Sequence, residues 1–184
     1  TVLKGIRKCK PAHWISIGPG QNLREQRYWD LLAVRPEHPL SDREWRGEVH
    51  LALIKAVKKR TMIADVPVGV LLSGGLDSSL LVALLDQAGL RDIKTFSIGF
   101  EDQPEEKGSE FEYSDPVAAM YATDHHKYLI PNDQVLKRLP EAVENMAEPM
   151  FGQDAVAFYL LSEQVAQQVK VVQSGQGADE VFAG

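Results

Sequence analysis

The chain switches repeatedly between two hydrophobic periods. Trp45, Val49, Ala52, Leu53, Ala56 and Val57 recur at the spacing of one helix face, which predicts a helix over 42–60. Ser41-Asp42-Arg43-Glu44 introduces it, with Glu three residues after Ser as in a capping box. Val66-Pro67-Val68-Gly69-Val70-Leu71-Leu72 is a short, wholly apolar run, typical of a strand buried on both faces of a parallel sheet. Ser78 to Ala88 reads as a helix closed by Gly89, and Ile93 to Gly99 as a second strand. Residues 101–110 read as a solvated loop. Glu112 to Thr123 is the next helix, with Pro116 in or near its first turn, and His126 to Ile130 the third strand. Asp133 to Met146 is helical, and Pro140 should kink or break it. A helix from Asp154 to Gln168 and a fourth strand from Val169 to Gln173 complete the pattern. Such alternation predicts an α/β fold, an open and mostly parallel Rossmann-like sheet with right-handed crossovers.

Residues 1–38 read differently. Trp14-Ile15-Ser16-Ile17 and Arg27-Tyr28-Trp29 flank Gly18-Pro19-Gly20, predicting a β-hairpin or meander. A linker around Arg35-Pro36-Glu37-His38-Pro39 follows. The expected division is therefore 1–38 and 39–184. The chain opens on Thr1, inside a pattern that already reads as structure, and stops just after a Gly-rich turn. We expect an excerpt of a longer protein.

Charge and cysteine narrow the classes. With 20 Lys and Arg against 26 Asp and Glu, the net charge is −6, which argues against non-specific nucleic-acid binding. No apolar run reaches the roughly 18–20 residues of a membrane span, so no membrane role is expected. Cys9 is the one cysteine, which excludes an intrachain disulfide or a CxxC site. With no signal peptide at the start, this favours a cytoplasmic setting. Adjacent His125 and His126 would point to opposite faces of a strand, so one shared metal is not expected.

The chemistry concentrates in two turns. The first strand runs into Ser73-Gly74-Gly75-Leu76-Asp77-Ser78-Ser79 and then a helix. Glycines let the backbone approach a ligand, and the uncapped N–H groups and dipole of a helix N-terminus favour an anion. Each hydrogen bond to a charged oxygen is worth roughly 1.5–3 kcal/mol, so several can hold a pyrophosphate without a lysine. Asp77 would repel that anion unless a cation stood between them, and Mg²⁺ binds through one or two carboxylates plus phosphate oxygens. The segment is neither a Walker A loop nor a Gly-x-Gly-x-x-Gly turn. A plain strand–turn–helix junction capped by Ser and Asp is the bland alternative. The fourth strand ends in Ser174-Gly175-Gln176-Gly177-Ala178-Asp179-Glu180, which repeats the logic. If the two strands are neighbours, Asp77 and Asp179 can serve one cation.

The ordered set of segments resembles the synthetase domain of the glutamine-hydrolysing asparagine synthetase family. Val66 to Ser79 resembles its pyrophosphate loop, Thr95-Phe96-Ser97-Ile98-Gly99-Phe100 its second strand, and Thr123-Asp124-His125-His126 the approach to its third. Ser174 to Phe182 resembles its second nucleotide loop, and residues 1–30 the tail of the preceding glutaminase domain. The resemblance implies a fold of the adenine nucleotide alpha hydrolase type and an ATP-dependent ligase. A carboxylate acceptor, aspartate in the type enzymes, would be activated as an acyl-adenylate, and glutamine-derived ammonia from an N-terminal glutaminase domain of the same polypeptide would displace AMP. A homodimer is compatible with this. Carried over by position, Ser73, Gly74, Gly75, Asp77, Ser78 and Ser79 would hold pyrophosphate, Asp77 and Asp179 would bind Mg²⁺, and Leu71, Ile98, Gly99, Ser174 and Gly175 would line adenosine.

Gln176 departs from the family, which carries glutamate there, and a glutamine is no general base at neutral pH. This leaves room for a different acceptor or amination step, as in relatives that amidate peptides such as N-acetylglutaminylglutamine. Asp77, Asp179 and Gln176 are the catalytic candidates. The downstream lysine of the synthetase domain lies beyond Gly184, so this piece alone is expected to be inactive. Two rivals remain: a non-catalytic nucleotide-binding module, and a GMP-synthetase or NAD-synthetase relative that shares only the first turn.

Overall fold

The computed structural model describes residues 1, 3–20, 22–102, 107–148 and 153–182, with the side chains of residues 153 and 154 excepted. The chain divides into two compact units, Thr1–Arg43 and Glu44–Gly184. In the first, β1 (His13–Ile17) and β2 (Leu23–Arg27) form the expected antiparallel hairpin, with His13 opposite Arg27 and Ile17 opposite Leu23. Gly20 takes a positive φ of 88° in the connection, a conformation that suits glycine.

The second unit contains α1 (Asp42–Ile63), β3 (Val68–Leu71), α2 (Leu76–Gln87), β4 (Lys94–Phe100), α3 (Phe111–Met120), β5 (Asp124–Ile130), α4 (Asn132–Asn145), α5 (Gln153–Val165), β6 (Val171–Gln173) and α6 (Ala178–Phe182), the first residues of α1 belonging to the other side of the division. Its four strands are parallel in the order β5-β4-β3-β6. This is the predicted α/β architecture, and it makes the strands that carry the two glycine turns immediate neighbours.

Strand alternation sorts the core. Val70 and Leu72 point to the face covered by α1, α2 and α3, where Val57, Val82, Leu85 and Ala118 pack with them. Leu71, Phe96 and Ile98 point to the other face, against Leu161 and Val165 of α5. Farther along that face, Ile130, Ala142, Val156 and Leu160 close α4 and α5 onto the sheet. Phe96 is 1% exposed, and Gly69 gives it room: a Cβ on Gly69 would stand 2.4 Å from Phe96 Cε2.

Several expectations shift in detail. Pro140 does not break its helix, and Pro116 sits in the interior of α3 rather than in its first turn. The carbonyls these prolines leave unpaired belong to exposed residues, Leu136 and Glu112, where water can replace the lost bond. β5 begins at Asp124, because His125 and His126 pair in register with Thr95 and Phe96. The two histidines do face opposite ways. His125 Nδ1 is 2.8 Å from Thr95 Oγ1, while His126 stacks on Phe96 at 5.2 Å between ring centroids. Among the described residues no helix is long and apolar enough to cross a membrane.

Candidate active site

β3 delivers the first glycine turn to the carboxyl end of the sheet, where ligands of open α/β folds bind. Its end is held by β4: Leu72 N–H donates to the Phe96 carbonyl at 2.8 Å, and buried Ser97 donates its hydroxyl to the Leu72 carbonyl. The turn is braced from within. Ser73 Oγ lies 3.0 Å from Ser78 Oγ, Gly75 N–H donates to Ser73 Oγ at 3.3 Å, and Ser78 Oγ donates to the Gly75 carbonyl at 3.2 Å. Gly75 is the N-cap of α2, and no side chain caps that helix. Its first-turn N–H groups are therefore left for another acceptor.

A cleft of about 350 Å³ opens over this turn, within the range of small-ligand sites. Ser73, Gly75, Asp77 and Ser78 form its floor. Ser174, Gly175, Gln176 and Asp179 form one wall, and Leu71, Phe96, Ile98, Phe158 and Leu161 an apolar end. The two loops touch: a Cβ on Gly175 would stand 2.8 Å from Asp77 Cβ and 3.0 Å from Ser78 N. Most of the residues singled out from sequence thus share one cavity. Gly74, Ser79 and Gly99 do not line it. Gly74 has φ +90°, and a Cβ there would meet the Tyr113 and Ser114 backbone at 2.4 and 2.5 Å, so it seats α3 against the loop. Gly99 seats the same region, with Ser109 Cβ and Phe111 Cζ at 2.5 and 2.9 Å from a Cβ built there. Ser79 Oγ is buried with no hydrogen-bond partner.

The electrostatics are one-sided. Among the described residues no lysine or arginine lines the cleft, and neither Asp77 nor Asp179 has an ion-pair partner. No group of three or more His, Cys, Asp or Glu forms a metal cage among the described residues. Two carboxylates, Asp77 and Asp179, thus line the cleft beside the uncapped turn. Sequence reasoning missed Phe158, Phe111, Ser114 and Glu110. Glu110 was assigned to the solvated loop, but it is the N-cap residue of α3 and lines the cleft. Residues 103–106 of that loop lie outside the described residues.

The asparagine synthase family model matches residues 48–184. The chain belongs to the asparagine synthase family. It is 30% identical over 179 residues to an asparagine synthetase (glutamine-hydrolyzing) of Bacillus subtilis, covering 97% of this chain and 27% of that protein. It is 34% identical over 165 residues to a putative asparagine synthetase (glutamine-hydrolyzing) of Methanocaldococcus jannaschii, covering 89% and 31%. The chain thus spans about three-tenths of the length of these relatives. In fold, this asparagine synthase-family domain is similar to an NH3-dependent NAD synthetase from Campylobacter jejuni, with a TM-score of 0.51, 15% identity, and coverage of 73% of this chain and 58% of that one.

Proposed function

We infer that this chain is the nucleotide-activating part of a glutamine-dependent ligase. Its cleft would bind ATP so that a substrate carboxylate attacks the α-phosphate, giving an acyl-adenylate and pyrophosphate. Ammonia then displaces AMP and leaves an amide. The observation that carries this reading is the contact of Gly175 with Asp77 and Ser78. It sets two carboxylates and an uncapped helix N-terminus around one cavity that has no basic side chain among the described residues. A module that bound only AMP would have no use for paired acids at the phosphate end.

In this reading the N–H groups of Leu76, Asp77 and Ser78, with the Ser73 and Ser78 hydroxyls, hold the departing pyrophosphate by charge-assisted hydrogen bonds. Asp77 and Asp179 would hold Mg²⁺, which when bound neutralises phosphate charge. Leu71, Ile98 and Phe158 offer an apolar end for the base. Ammonia would come from glutamine hydrolysed on an N-terminal domain of the same polypeptide, in keeping with relatives that are glutamine-hydrolysing asparagine synthetases. Gln176, which lines the cleft, supports a second reading in which the acceptor is a small peptide carboxylate rather than aspartate.

The test is ATP–pyrophosphate exchange by the full-length enzyme, followed by an acceptor screen scored by AMP release, with aspartate against small peptides. Asp77→Asn is expected to lower exchange by about a hundredfold or more, since even outer-shell changes at metal sites cost ~10–100-fold. Exchange near the unsubstituted rate would remove Asp77 from the mechanism.

A further inference from the structure

The first turn of α3 forms a third wall of the cleft that the reaction above leaves unused. Glu110, Phe111 and Ser114 line it. The wall is fixed in place, because Gly74 packs directly on the Tyr113–Ser114 backbone and Ser114 is fully buried. Glu110 is the N-cap residue, yet its side chain does not cap the helix. It has no ion pair and no side-chain hydrogen bond among the described residues, whereas nearby Glu112 is taken by Lys107 at 2.9 Å.

An ionised carboxylate only accepts hydrogen bonds. In a cleft meant for ATP, where Asp77 and Asp179 are the acids assigned to the bridging cation, it cannot face bare phosphate oxygens or ring nitrogens without repulsion. The donors of that ligand are the two ribose hydroxyls and the exocyclic amine of the base. The turn bearing Glu110 packs on Gly74 of the glycine turn through Tyr113 and Ser114, and on Gly99 near the end of β4 through Phe111, and so stands at the junction of the two. That junction is where a ribose would lie, and an acid on ribose hydroxyls is a recurrent way for nucleotide folds to read the sugar.

We propose that Glu110 accepts hydrogen bonds from the ribose hydroxyls and makes the site selective for ribonucleotides over deoxyribonucleotides. This rests on the ATP-dependent reading above. The test is calorimetric titration of the full-length enzyme with the magnesium complexes of ATP, 2′-deoxy-ATP, 3′-deoxy-ATP and inosine triphosphate. Unsubstituted enzyme should bind ATP about ten- to a hundredfold more tightly than at least one deoxy analogue, the worth of a hydrogen bond to a charged group. Glu110→Ala should abolish that ratio, weakening ATP more than the deoxy analogue, and Glu110→Gln should retain part of it. The ratio is internal to each variant, so a loss of stability alone does not imitate it. No discrimination in the unsubstituted enzyme, or a ratio that survives Glu110→Ala, overturns the proposal. Selectivity against inosine triphosphate that disappears in Glu110→Ala would place the acid on the base amine and overturn it too. Failure of the unsubstituted enzyme to bind ATP at all would instead sink the adenylation reading beneath it.

Discussion

Gly175→Ala is the smallest change that separates the two loops. The added methyl would stand 2.8 Å from Asp77 Cβ, 3.0 Å from Ser78 N and 3.1 Å from Asp77 C. Carbon–carbon contacts become favourable at ~3.5 Å, so the loops must part by about 0.7 Å at the closest point. Two of the three atoms are backbone and the third is a Cβ, so no flexible side-chain end can swing away. Gly175 has no positive φ, and the cost is therefore steric rather than conformational. Overpacking of this kind costs ~1–3 kcal/mol. A displacement approaching 1 Å at a positioned reaction centre costs on the order of 10²-fold in rate. We predict a roughly 10- to 100-fold drop in ATP–pyrophosphate exchange by the full-length enzyme, with a modest drop in melting temperature. Gly89→Ala is the control. Gly89 has φ +93° but nothing within 4 Å of a built Cβ, and it lies beyond the far end of α2, so it should cost about 1 kcal/mol of stability and leave exchange unchanged. If Gly175→Ala exchanges at the rate of Gly89→Ala, the loops do not work as one site.

Other outcomes follow from the same geometry. Phe96→Ala should destabilise the domain by ~3–5 kcal/mol, read by chemical denaturation, because its ring fills the space over Gly69. Burial, outweighing the pull of Asp115, holds the His125 imidazole below its ordinary range. The unfolded chain then binds more protons than the folded one between that lowered value and about 6.5. The associated stability is complete above that window and is lost as pH falls through it. His125→Asn should therefore flatten the fall in melting temperature between pH 8 and 5.5, and an unaltered slope would contradict the burial argument. Gln176→Glu should move acceptor preference toward aspartate in the AMP-release screen, and no change in rate or preference would make that position neutral.

The strand–helix alternation was legible where a strand is an apolar run, as at β3, and less so at β5, which opens on Asp124-His125-His126-Lys127. Boundaries were less legible too. Val66 and Pro67 read as strand but lie outside β3, and proline has no N–H to give to a neighbouring strand. The meeting of the two glycine turns could be anticipated because both follow a strand, and the β3–β6 adjacency brings them to one cleft. Glu110 carried no such signal. It sits in an acidic stretch that local composition assigns to solvent, and only the packing of Gly74 on α3 turns it toward the cleft. Phe158 was hidden for a similar reason, since one exposed aromatic on an apolar helix face looks like its neighbours until the sheet is in place.

The central claim is that Asp77 and Asp179 serve one cation on one pyrophosphate. Its most direct test is a double-mutant cycle on the full-length enzyme, measuring affinity for magnesium pyrophosphate in Asp77→Asn, Asp179→Asn and the combined variant. The account predicts strong coupling: each single change should lose most of the binding, and the second should add little to the first. Losses that simply multiply would show two acids acting apart and would contradict it.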